Sequence, residues 1–278
     1  MTVIDAHAHI ISREQGALPP HTAEHLLDSM RRAGVSRAVL VQYSAAHGYD
    51  NSYVLDTVER HADRFVAVCT LDPRDASAPA LLTDYVRGRG AAGVRVRAPD
   101  RSAALDWLVG SQPLWRRAAD LGIPVCVHLQ QHHHVAGVQI VRDMLSGFPT
   151  LDVVLDHVGN PPWQAEAPFG LELLEMLADH PRLVLKFATV NLNRLEAAHA
   201  SPVAALERLI AVFGSARIMW GSDVPNTPGD YLDMVSRVLD LLSHVGAEDR
   251  SNILSGTALR VYPSLAQKEA LDARLPVS

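Results

Sequence analysis

Asp5, His7 and His9 stand at i, i+2 and i+4, interleaved with Ile4, Ala6, Ala8 and Ile10. In an extended strand this spacing sends the three polar side chains to one face and the apolar ones to the other. Same-face neighbours lie about 6.6 Å apart along the backbone. Two imidazoles so placed can converge on one divalent ion, zinc above all, each through a neutral ring nitrogen. A core or solvated strand also carries His-x-His, so the neighbours must decide. Asp5 is a candidate for orienting a ligand histidine from behind.

Other chemistry-bearing residues close apolar runs. His128 ends Pro-Val-Cys-Val-His, His157 ends Val-Val-Leu-Asp-His, and Asp223 follows Ile-Met-Trp-Gly-Ser. Arg95 and Arg97 alternate in Gly-Val-Arg-Val-Arg and share a face. Arg95 is the stronger candidate to grip a substrate carboxylate through two parallel bonds; a salt bridge within the fold is the other use of such a residue. Tyr43, Asn51 and Trp163 follow strand candidates and are read as pocket residues or as packing and caps. Asp156 alternates away from His157, which assigns it a structural role. His132, His133 and His134 form a tract whose side chains must diverge, so a solvated loop is expected there.

These residues need elements to bring them together. Eight apolar, β-branched runs are read as strands: Val3–His9, Ala38–Gln42, Phe65–Thr70, Gly93–Arg97, Pro124–Leu129, Asp152–His157, Leu183–Phe187 and Arg217–Ser222. They recur about every 30 residues, the length of one βα unit, and lack polar alternation, as parallel strands covered on both faces do. Helical stripes fall between them, with Gly34, Gly122 and Gly214 as stops and Ser111 and Ser201 as starts. An open doubly wound sheet would place a glycine-rich phosphate loop after the first strand; His-Ala-His-Ile stands there instead. The expected fold is a (β/α)8 TIM barrel, one domain over residues 1–278, with a C-terminal helical extension beginning around Asn252–Tyr262. A barrel gathers every C-terminal strand end at one mouth, so four strands would deliver His or Asp to one place.

Composition narrows the function. The 278 residues are 48% hydrophobic with a formal net charge of -6, and no basic run suggests a nucleic-acid surface. No apolar stretch approaches the ~18 residues of a membrane span. Two cysteines in apolar runs fit a reducing cytoplasm better than a disulfide framework. The expected partner is a small-molecule substrate; a homodimer is compatible with the sequence but not required by it.

Taken in order, the motifs resemble the amidohydrolase superfamily, in its amidohydrolase-2 branch of lactonases and related decarboxylases. The matching stretches are Ile4-Asp-Ala-His-Ala-His-Ile10, Val41-Gln42 with Asp50-Asn51, and Val127-His128. They continue with Leu155-Asp-His-Val-Gly-Asn-Pro161, Trp220-Gly-Ser-Asp-Val-Pro225 and the tail from Asn252 to Tyr262. The Asp-His-x-Gly-x-Pro element is more similar to the sugar-lactone and pyrone-dicarboxylate lactonases than to the decarboxylases. The resemblance implies that His7, His9, His128 and Asp223 hold or surround one divalent ion, and that His157 faces substrate. Some lactonases of this branch work without metal.

The expected chemistry is hydrolysis of a small lactone, carboxylated ones included. Asp223 accepts the proton of a metal-activated water and returns it to the leaving alkoxide, while His157 donates to the carbonyl oxygen. Arg95, Tyr43, Asn51 and His128 are the candidate substrate contacts. Metal-independent lactone opening and metal-dependent decarboxylation of an aromatic or unsaturated acid are the alternatives.

Overall fold

The protein is described by a computed structural model covering residues 2–12, 19–100 and 102–267. Residues 268–278 of the expected C-terminal extension lie outside the described residues. Eight parallel strands run in chain order around the molecule: β1 Ile4–Ala8, β2 Arg37–Val41, β3 Phe65–Thr70, β4 Gly93–Arg97, β5 Val125–His128, β6 Val153–Leu155, β7 Leu183–Ala188 and β8 Ile218–Gly221. Helices fill the crossovers, and the result is the (β/α)8 barrel read from the sequence. Almost every strand residue is buried, because the sheet is covered by helices outside and by its own side chains inside.

The two ends of the sheet meet through single bonds rather than a ladder. His9 N donates to Val224 O at 2.8 Å and Asp223 N to His7 O at 2.7 Å. Asp5 fastens the same seam: its Oδ1 accepts from Ser222 N at 2.9 Å and His7 N at 3.0 Å, and its Oδ2 from Tyr231 Oη at 3.0 Å. Asp5 therefore holds backbone and the Tyr231 hydroxyl rather than the ring of a ligand histidine. Gly221 is required here, since a Cβ would lie 2.5 Å from His7 Cβ.

Helix ends follow local chemistry. Ser201 Oγ accepts from Ala204 N at 3.3 Å and opens Pro202–Phe213, while Asp230 Oδ1 accepts from Leu232 N at 2.9 Å and opens Tyr231–Ser243. Gly34 and Gly122 close their helices in left-handed backbone at φ 72° and 67°. Ser111 stands at the start of Gln112–Leu121 as read, but its side chain makes no capping bond: its Oγ donates to Leu108 O at 2.6 Å in the short helix before it. Ala258, Val261, Tyr262 and Leu265 plug the barrel floor, packing on Ile4, Ala6, Val39, Val66 and Cys126. Both cysteines are free and buried, and no helix among the described residues is long and apolar enough to cross a membrane.

β6 is shorter than its apolar run. Asp152 is drawn into ion pairs with Arg260 at 3.2 Å and Arg182 at 3.6 Å, and the chain leaves the sheet after Leu155. His157, Val158, Gly159 and Asn160 all take positive φ, at 54°, 58°, 69° and 54°. For a β-branched Val this backbone costs on the order of 1–3 kcal/mol. His134 Nδ1 donates to Gly159 O at 2.8 Å and Asn191 Nδ2 to His157 O at 2.9 Å, so the turn is held from both sides. His134 and His133, which donates to Ala103 O at 2.9 Å, are thus buried structural donors rather than a solvated tract.

His21 pairs with Ile11 through two backbone bonds of 2.8 and 2.9 Å, and its ring is buried with Nε2 unpartnered. Burial, then His25 and His9, push its pKa from 6.5 down to about 4. The unfolded chain takes up a proton below pH 6.5 that the folded chain refuses until about pH 4. Stability therefore falls across that window, by about 3 kcal/mol in full. His21→Gln is expected to flatten urea stability against pH in this range; an unchanged slope excludes His21 as its source.

Candidate active site

Three side chains from the barrel seam converge at the mouth. His7 and His9 come from β1 and the residue beyond it, and Asp223 from the turn after β8, where its own backbone is left-handed at φ 62°. His7 Nε2 lies 3.3 Å from His9 Nε2, and Asp223 Oδ1 lies 3.2 Å from His9 Nε2 and 3.6 Å from His7 Nε2. Donors about 2.1 Å from a tetrahedral ion stand about 3.4 Å from one another, so these three atoms fit a divalent ion. His9 Nδ1 donates to Val41 O at 2.6 Å, which leaves the Nε2 lone pair turned inward. Thr227 Oγ1 and Asn226 Nδ2 donate to Asp223 Oδ2 at 2.6 and 2.9 Å, fixing which oxygen faces the histidines.

Charge favours this assignment. Burial resists ionisation of Asp223, but the facing His157 and then His9 and His7 hold its carboxyl well below the usual range. Burial pushes the His7 pKa well down, against the pull of Asp156 and with the push of Lys186. A neutral His7 beside an ionised Asp223 is the state that suits a cation.

Beneath them sits a buried charge network. Asp156 lies 2.8 Å from Arg95 Nε, 3.3 Å from Lys186 Nζ and 3.4 Å from His7 Nδ1. Burial disfavours the Asp156 anion, yet Lys186, Arg95 and His7 together keep its carboxyl well below 3.8. An Nδ1–H of His7 directed at this carboxylate leaves Nε2 free as a ligand. Lys186 also approaches His7 Nδ1 at 3.4 Å and Cys126 Sγ at 3.9 Å, and Cys126 meets Tyr262 Oη at 3.3 Å.

Above the cluster opens a cavity of about 660 Å³, the size of a small-molecule site. His9, His128, His157 and Asp223 lie at its base, with Arg95, Arg97 and Arg194 in its walls. The amidohydrolase family model matches residues 4–264. The chain belongs to the amidohydrolase family. It is 26% identical over 285 residues to a 4-sulfomuconolactone hydrolase of Hydrogenophaga intermedia, covering 95% of this chain and 89% of that one. A solved chain from Pseudomonas putida described as a 2-pyrone-4,6-dicarboxylic acid hydrolase is 27% identical, with a TM-score of 0.73 over 95% of this chain and 98% of that one. An amidohydrolase from Burkholderia multivorans solved with bound zinc shares the fold at 22% identity and a TM-score of 0.74, covering 95% and 99% of the two chains.

In this amidohydrolase the residues expected at the site divide three ways. His7, His9 and Asp223 form the candidate ligand group. His157, Tyr43 and Arg95 line the cavity beside it, with His157 Nε2 3.9 Å from Asp223 Oδ1 and Tyr43 Oη donating to Asn226 at 3.2 Å. His128 lines the cavity too, but it lies outside the ligand group. Arg95 Nη2 donates to its Nδ1 at 2.8 Å, so a neutral His128 carries its proton on Nε2 and offers a donor, not a lone pair. Burial, then Arg95 and His157, push its pKa well down and keep it neutral. Asn51 is away from the cavity. Its amide donates to Tyr49 O and Thr70 O at 2.9 and 3.0 Å and accepts from Thr70 N at 2.8 Å, which uses it to tie β3 to the preceding loop. Trp163 is likewise not among the cavity walls.

Lys186, which the sequence did not single out, belongs here, and Asp156 and Arg97 stand differently from their sequence reading. Lys186 is the lone charge in Leu-Val-Leu-Lys-Phe-Ala, a signal that a buried partner must exist. Asp156 was read as facing away because strand alternation was carried past Leu155, where the strand has already ended. The charge of Arg97 is less compensated than that of Arg95: Arg95 lies beside Asp156, whereas among the described residues Arg97 meets only Ser44 Oγ, leaves its Nε unpartnered, and is pushed by burial and by Arg95 down to about 10.

Proposed function

We propose that this amidohydrolase opens a small lactone bearing an acidic substituent, with Asp223 as general base. The observation that carries this reading is an ionised carboxylate and two imidazoles converging at the base of a cavity walled by guanidinium groups. The relatives named for sulfonated and carboxylated lactones support the same chemistry. The overall charge of -6 is no obstacle, because the local field in the cavity is cationic.

A divalent ion, zinc by the donor set, would be held by His7, His9 and Asp223 and would polarise the lactone carbonyl and acidify water. The protein's own groups do the rest. Asp223 Oδ1 takes a proton from water as its oxygen bonds to the acyl carbon. The ring C–O bond then breaks, and Asp223 returns the proton to the departing alkoxide, leaving a hydroxy acid. The Nε2–H of His128 and the neighbouring His157 donate to the oxygen that gains negative charge. Arg97 binds the acidic substituent and Tyr43 closes the wall beside it.

The test is elemental analysis of purified, untagged protein with a lactone panel including 4-sulfomuconolactone and 2-pyrone-4,6-dicarboxylate, run with and without chelator. We expect about one divalent ion per chain and ring opening that is lost on chelation and restored by zinc. Hydrolysis that survives full metal removal transfers water activation to Asp223 alone. Bound metal without opening of any lactone defeats the reading and directs assays to decarboxylation.

A further inference from the structure

His7 stands between two partners of opposite kind. Its Nδ1 lies 3.4 Å from Asp156 Oδ1, a carboxylate that only accepts hydrogen bonds, and 3.4 Å from Lys186 Nζ, an ammonium that only donates them. Asp156 therefore favours the tautomer with its proton on Nδ1, and Lys186 the tautomer with its proton on Nε2. All three side chains are buried, so the choice between them falls to the far end of the ring.

At that end His7 Nε2 faces His9 Nε2 at 3.3 Å and Asp223 Oδ1 at 3.6 Å. His9 donates its Nδ1 proton to Val41 O at 2.6 Å, so a neutral His9 presents a lone pair at Nε2. Asp223 Oδ1, 3.2 Å from that nitrogen, is an acceptor as well. Acceptors at these distances suit a cation in their midst; with none bound, lone pairs and an anion face one another. A proton on His7 Nε2 relieves that repulsion. It also strips Nδ1, which then takes a hydrogen bond from Lys186. Burial, which holds the His7 pKa well down, keeps the ring to a single proton in either arrangement. The lysine is placed for this role. Its three N–H groups have Asp156 Oδ1 at 3.3 Å, His7 Nδ1 at 3.4 Å and Cys126 Sγ at 3.9 Å as acceptors.

We propose that Lys186 is a positioning residue that sets how tightly the site holds its metal, by stabilising the Nε2–H tautomer of His7 that ion binding must displace. On binding, the His7 proton passes from Nε2 to Nδ1, where Asp156 receives it, and the number of protons on the ring does not change. Asp156 and Lys186 thus act in opposition: the carboxylate tightens the site and the lysine loosens it. The proposal rests on the metal reading of His7, His9 and Asp223 and is independent of which bond the site hydrolyses.

Neutron diffraction on wild-type crystals exchanged into D2O, metal-free and zinc-soaked, reads the tautomer directly. Metal-free crystals are expected to show deuterium on His7 Nε2, none on Nδ1, and a Lys186 deuteron directed at Nδ1. Zinc-loaded crystals should carry it on Nδ1 alone. Deuterium on Nδ1, or on both nitrogens, in the metal-free crystal overturns the proposal. Zinc bound away from His7 and His9 defeats the metal reading and the proposal with it, a failure told apart by where the ion lies. Chelator competition on Lys186→Met is expected to show zinc held about tenfold more tightly than by wild type; unchanged or weaker binding overturns the proposal. A gain in affinity with the proton already on Nδ1 in metal-free wild type would reflect only the loss of a nearby positive charge, and the proposal falls. The wild-type maps decide whether or not the variant folds.

Discussion

Asp223→Asn is expected to lower kcat about 10³- to 10⁴-fold when assayed with saturating zinc. The amide keeps the shape that Thr227 and Asn226 hold, with its carbonyl oxygen accepting their bonds at the old Oδ2 position. That forces NH2 toward His9 and His7, where an oxygen stood 3.2 and 3.6 Å away. On the proposed mechanism the variant loses the proton acceptor and one ion ligand together, so metal content must be measured beside turnover. A loss below tenfold with metal retained would remove Asp223 from proton transfer. A fall in metal content with turnover restored by excess zinc would leave it a ligand only.

The second large effect concerns stability. Asp156→Asn strips the anion from between Lys186, Arg95 and His7, all buried, leaving two cations without a counter-charge. Breaking such a pair costs about 3–5 kcal/mol, on the order of 10 °C in Tm for a chain of this length. Lys186→Met in the Asp156→Asn background removes one of the stranded cations and is expected to recover part of the loss. Thermal melts of both single variants and the double variant check this. Additivity within about 0.5 kcal/mol would show that the two side chains are not coupled.

The barrel was legible in the sequence because its strands are buried on both faces and recur at the spacing of a βα unit. Their bounds emerged within one residue except at the end of β6, which stops two residues early because the backbone turns left-handed at His157. His7, His9, His157 and Asp223 were legible because residues at strand ends have only one place to go. The electrostatic layer below them was not. Whether Asp156 faces inward depends on where β6 stops, and nothing in Val-Val-Leu-Asp-His marks that point. Asn51 has the same difficulty: an Asn after a strand suits a pocket or a tie between backbones equally well. Arg194 lies on a helix whose orientation is fixed by Asn160, a partner 34 residues away in sequence, so no local pattern announces it.

The ligand group straddles the barrel's closing seam, and this has a consequence for how the protein is made. His9 and Asp223 are 214 residues apart, so the group cannot assemble in a nascent chain that has not yet reached Asp223. Their approach closes a loop of more than two hundred residues, and the cost of closure grows with loop length. An ion gripping both ends would act as a clasp on that loop, holding the finished ring against opening at its weakest join. Metal occupancy would then govern the lifetime of the folded chain as well as its chemistry, and metal-starved protein would open first at this seam.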